Sequence, residues 1–177
     1  MKKILSVFAF SLYVLSSASA FAGNDGVQVR FHGACHMGNA DINNGDIEFL
    51  NLNLDINAEQ SFQSKKCEIT TKFPGRHGHR LVVSTFKVEA FADLKHEGVA
   101  SLSLRHNFRN RGWKADEAKA RRGDRALVVE QTAVGRTECH EDAELKTEIT
   151  TGARNAILLQ DSATNIIAIK YYYEMCH

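Results

Sequence analysis

From Leu50 to Ile56 every second residue is apolar and each intervening one is polar: Leu50-Asn51-Leu52-Asn53-Leu54-Asp55-Ile56. Successive side chains on a strand point to opposite faces, so this pattern puts one face in a core and the other in water. The same period recurs along the chain. Val82, Ser84, Phe86 and Val88 share a side within Leu81–Phe91. Ala100, Leu102, Leu104, His106 and Phe108 alternate with Ser101, Ser103, Arg105 and Asn107. Leu145, Thr147 and Ile149 do the same, and Val27–Phe31, Cys67–Phe73, Ala126–Val134, Ile157–Leu159 and Ile166–Tyr173 are further strand candidates.

Turn signals separate these runs. Asn43-Asn44-Gly45-Asp46 predicts a tight hairpin, because Asn-Gly accepts positive φ at both central positions. Phe73-Pro74-Gly75, Lys95-His96-Glu97-Gly98 and Asp161–Asn165 read as further turns. Eight or nine short strands at this spacing predict an all-β fold, a single antiparallel β-sandwich. One segment departs from the pattern: Lys114–Arg121 (KADEAKAR) holds good helix formers and no β-branched residue. It predicts one short helical connection, with Gly123 at its C-cap.

The first 22 residues read as a signal peptide. Lys2 and Lys3 form a positive start, Ile4–Val14 is apolar but too short for a membrane span, and Ser16–Ala22 offers cleavage after Ala20 or Ala22. That leaves residues 23–177 as one domain, secreted or periplasmic, with no later membrane span. Loss of Lys2 and Lys3 leaves one more acid than base among 22 Lys and Arg and 21 Asp and Glu. A near-neutral domain gives no global attraction to nucleic acid, which is not expected as a partner.

Four cysteines remain, Cys35, Cys67, Cys139 and Cys176, and an even count in an exported chain predicts two disulfides. Three connectivities are open, and the sequential one, Cys35–Cys67 with Cys139–Cys176, is favoured. The competing metal reading draws on a His after Cys35, Cys139 and Cys176. It lacks any C-x-x-C, and adjacent residues on a strand point apart.

The order of landmarks resembles the secreted domain-of-unknown-function family 4360 (DUF4360). Gly33-Ala34-Cys35 precedes an alternating strand, and Lys66-Cys67 follows. A long strand after Gly78 runs Leu81–Phe91, then Val99–Phe108, and Cys139 precedes Leu145-Lys146-Thr147-Glu148-Ile149. The resemblance spans about Gly33 to Ala156. It implies a small secreted β-rich protein and supplies no catalytic residues.

Two constellations could carry chemistry. Arg105, Arg109, Arg111, Lys114, Lys119, Arg121, Arg122 and Arg125 surround Trp113, against only Asp116, Glu117 and Asp124. Arg109, Arg111, Trp113, Arg121 and Arg122 are therefore candidate binding residues for an anionic polymer such as an envelope polysaccharide, or for a protein partner. His77-Gly78-His79 could place two imidazoles together for copper or zinc, with His32, His36, His96 or His140 completing the set. The plainer readings are a solvated basic face and an exposed polar turn. No cofactor is expected. No G-x-S-x-G, H-E-x-x-H or phosphate loop occurs. Asp46 with Glu48, and Glu138 with Glu141 and Asp142, are carboxylate groupings without a partnered acid. The chain thus reads as a non-enzymatic binding or surface-interaction module. The alternative is a secreted enzyme or enzyme inhibitor with a site assembled from sequence-distant residues.

Overall fold

In a computed structural model the described residues are 20–22, 26–59, 61–123, 125–159 and 167–177. They form strands β1 (Ala20–Ala22), β2 (Gln28–Gly33), β3 (Asn39–Asn43), β4 (Asp46–Leu50), β5 (Ile56–Ala58) and β6 (Gln63–Phe73). These are followed by β7 (His79–Phe108), β8 (Trp113–Ala120), β9 (Arg125–Arg136), β10 (Ala143–Leu159) and β11 (Ile167–Met175). Every pairing is antiparallel. The leader reading falls largely on residues 1–19, outside the described residues. None of the described residues forms a helix long and apolar enough to cross a membrane.

The strand β7 organises the molecule. Thirty residues at about 3.3 Å each would reach roughly 100 Å if straight, several times the size of a domain this small, so the strand must turn. Its first half lies between β9 and β11, and β11 continues through β4 to β3. Its second half lies between β8 and β10, and β10 continues through β6 and β2 to β1. One sheet thus folds over into two layers, the sandwich that the alternation predicts. Aromatic contacts join the layers: Phe31 of β2 meets Phe49 of β4 at 5.8 Å between ring centres, and Phe73 of β6 meets Tyr171 of β11 at 5.1 Å. Phe31, Phe73 and Phe86 are fully buried, each worth about 1.5–3 kcal/mol relative to exposure.

The fold-over lies where the sequence suggested a turn. Lys95–Gly98 stays within β7, but Glu97 has φ 55°, and opposite it β10 shifts register between Arg154 and Ala156, with Asn155 at φ 48°. Both long strands turn the corner together. The Asn43–Asp46 hairpin is found as read: Asn43 pairs with Asp46, and Asn44 and Gly45 have φ 39° and 96°. The disulfides join Cys35 to Cys67 and Cys139 to Cys176, the favoured sequential pairing.

Two expectations need correction. The helical connection is a strand: Trp113–Ala120 pairs residue for residue with Asn107–Ala100 of β7, and no helix occurs among the described residues. Helix preference amounts to tenths of a kcal/mol per residue, and the ladder overrides it. The many charges suit an edge strand, where they discourage pairing with another chain. The Leu50–Ile56 alternation is real in burial but not in secondary structure. Leu52, Leu54 and Ile56 are buried, yet 51–55 lies outside any strand, and Phe49 rather than Leu50 points inward. Asn51 and Asn53 take φ 58° and 50°, a region Asn tolerates. Side chains serve the backbone here: Lys65 Nζ donates to the Asn53 carbonyl at 3.0 Å, and Thr151 Oγ1 to the Leu54 carbonyl at 3.0 Å.

Candidate functional site

The antiparallel registers place one set of side chains on the outer face of the β1–β8 layer. Glu148 of β10 stands opposite Glu68 of β6 and Arg105 of β7. Arg105 stands opposite Ala115 of β8, one step from the Asn107–Trp113 pair. Directly opposed residues share a face, so Arg105, Glu148 and Trp113 meet outside. Arg105 Nη1 donates to Glu148 at 3.1 Å, and its guanidinium carbon lies 5.0 Å from the centre of the Trp113 ring. Lys66 Nζ lies 3.3 Å from Glu148 and 2.9 Å from Glu68. The Glu68 hydrogen bond, against some desolvation and with help from Glu148, holds the Lys66 ammonium above its usual range. A chain of charges therefore crosses three strands and ends under an indole on a fourth, which is 42% exposed.

The other end of this strip is built around a second ring. Ser64, Gly152, Ser101 and Lys119 form one row across β6, β10, β7 and β8. A Cβ on Gly152 would stand 2.7 Å from Phe62 Cζ and 2.9 Å from Ser101 Oγ, so the bare backbone is what lets the Phe62 ring lie against the sheet. Phe62 is 61% exposed. Beside it opens a cavity of about 310 Å³, lined by Phe62, Val99, Ala100, Ser101, Glu117, Lys119, Ala120 and Arg121. That size lies at the lower end of small-ligand sites. Glu117 and Lys119 pair at 2.7 Å. Arg121 has no ion-pair partner among the described residues.

The structure divides the basic residues read from the sequence. Trp113 and Arg121 lie on the strip. Arg111 and Arg122 are exposed in the turns before and after β8. Arg109 does different work. It has φ 55°, its amide donates to the Glu144 carbonyl at 2.9 Å, and its guanidinium pairs with Glu141 at 2.7 Å. It pins the turn after β7 to the β9–β10 connection. The nearby acids are likewise structural: Glu141 accepts from the Glu138 amide at 3.0 Å, and Asp142 from the Gly75 amide at 2.6 Å. Phe62 and Gly152 escaped the sequence reading. The available signal was a lone aromatic in the polar run Gln60-Ser61-Phe62-Gln63-Ser64, where no alternation accounts for it.

The histidines separate too. His77 Nδ1 lies 3.0 Å from His140 Nε2, whereas His79 turns its Nδ1 to the His77 carbonyl at 2.8 Å. His32 and His36 belong to the Cys35 end, about 20 Å away along β6. The side chain of His96 lies outside the described set. Among the described residues no group of three or more His, Cys, Asp or Glu is placed to hold a metal.

No family model and no curated protein matches the chain. Among solved structures, the carbohydrate-binding module TmCBM61, in complex with β-1,4-galactotriose, is similar with a TM-score of 0.37 and 10% identity, over 84% of this chain and 88% of that one. The enzymatically active domain of bacteriophage CBA120 tailspike protein 4 is similar with a TM-score of 0.22 and 10% identity, over 80% of this chain and 19% of that one.

Proposed function

We propose that this protein is an exported, non-enzymatic binding module that takes an extended polysaccharide along the outer strip of β7 and β8. The observation that carries this reading is the placement of two exposed rings, Phe62 and Trp113, at opposite ends of one strip. From Trp113 to Lys119 is six residues, or roughly 20 Å of strand, enough for several sugar rings in a row. A pyranose offers an apolar C–H face and a rim of hydroxyls. The aromatic faces suit the first, and Ser101, Ser103, Glu117, Lys119 and Arg121 suit the second. Arg105 is balanced by Glu148 and Lys119 by Glu117, so Arg121 supplies the net positive charge that favours a glycan bearing some negative charge.

Export is supported by the leader-like start and by two disulfides of the kind that persist in oxidising compartments. The DUF4360-like landmark order supports the same setting.

Affinity electrophoresis through gels containing envelope polysaccharides tests the reading. Retardation by at least one acidic polymer is expected, weaker in Phe62→Ala and in Trp113→Ala and lost in the double variant. Retardation unchanged in the double variant would remove the strip as the binding surface.

A further inference from the structure

We propose that His77 and His140 form a two-imidazole site for Cu(II), at the end of the molecule held by the Cys139–Cys176 disulfide. Two independent distances carry this. The facing nitrogens are 3.0 Å apart and the ring centres 4.7 Å apart. A five-membered ring with bonds of about 1.33 Å puts each nitrogen about 1.1 Å from the ring centre. A straight nitrogen-to-nitrogen hydrogen bond would therefore separate the ring centres by about 5.3 Å. Rings aimed at one ion at about 2.05 Å, with their nitrogens 3.0 Å apart, have centres about 4.7 Å apart. The observed spacing falls short of a straight hydrogen bond and matches that of two ligands converging on a point, which would subtend an angle of about 94° there. That angle is close to the cis angle of tetragonal Cu(II) and well below the tetrahedral angle that zinc prefers.

The pair is also held in place before any ion arrives. His79 N donates to the Arg76 carbonyl at 3.0 Å, His140 N to the His79 carbonyl at 2.9 Å, and Cys176 N to the Gly78 carbonyl at 2.9 Å. A Cβ on Gly75 would stand 2.4 Å from the His140 carbonyl oxygen, so the two loops touch backbone to backbone. Met175, 65% exposed and paired in register with His79, brings a soft thioether to the same end. The protein supplies two ligands, and water completes the coordination. The site is independent of the polysaccharide strip.

The test uses the untagged full domain with Cu(II) alone, by calorimetry and by electron paramagnetic resonance. One ion bound with coupling to two nitrogens is expected. Changes beyond the ligands typically cost about 10–100-fold in metal affinity, so His77→Ala and His140→Ala should each cost at least about tenfold. His36→Ala should bind as the parent does. Gly75→Ala, which keeps both ligands but parts the loops, should weaken binding. Melting without metal checks that each variant is folded. Three outcomes overturn the proposal: no binding by the parent, equal binding by the His77 and His140 variants, or a loss in His79→Ala that His140→Ala does not share.

Discussion

His106 of β7 bonds through Nδ1 to Oε1 of Gln131 on β9, joining the two layers from inside. The imidazole is 2% exposed, and its Nε2 is buried without a partner among the described residues. Burial lowers its pKa from 6.5, the hydrogen bond to Gln131 opposes this, and Lys114 opposite lowers it further.

A pH dependence follows, with a definite sign. The folded state favours the neutral ring, so below about pH 6.5 the unfolded chain binds the proton more readily and stability falls. The contribution is fully present above the unfolded pKa and is lost as pH falls through the folded one. Urea midpoints between pH 8 and 5 should decline on the acid side, and His106→Gln should flatten that decline. An equal decline in both would assign the effect elsewhere.

Arg109 and Arg121 should part in behaviour although the sequence groups them. Arg109→Ala strands Glu141 and should cost about 1 kcal/mol of stability while leaving polysaccharide retardation intact. Arg121→Ala should leave the urea midpoint unchanged and weaken retardation. Paired urea titrations and affinity gels read both effects.

Two glycines should separate fold from site. Gly152→Ala displaces the exposed end of Phe62, so binding should drop with a stability change within about 0.5 kcal/mol. Gly98→Ala drives a Cβ to 2.4 Å from the Asn155 carbonyl oxygen at the corner of the two long strands. It should cost about 1–3 kcal/mol. Denaturant unfolding of both variants checks the contrast.

The strand identity of β8 can be tested at Ala115, which is exposed and opposite Arg105. Ala115→Thr should stabilise by some tenths of a kcal/mol, because β-branched residues suit strands. In a helix the same change would destabilise by a similar amount. The direction of the shift in midpoint decides.

Those residues also show how far the sequence could be read. Alternation located most of the strands, and Asn44-Gly45 gave its hairpin, because both signals are local and backbone-determined. KADEAKAR misled because its local preference is helical while its partner, the second half of β7, lies upstream and contributes only through pairing. Asn51 and Asn53 mimic the polar face of a strand while serving as left-handed corners. The His77–His79 spacing drew attention to the neighbouring pair; the ring that meets His77 is His140, one of four named to complete the set, and nothing local singled it out from the other three. Phe62 gains its meaning from Gly152, ninety residues further on.

Because a single run of backbone, His79–Phe108, supplies a central member to each half of the sandwich, neither half can stand without the other. Unfolding should be all-or-none, and assembly must wait until Ile167–Met175 returns to close on His79–Val88. A fold that closes only when β11 has returned gives its two halves one shared cooperative step.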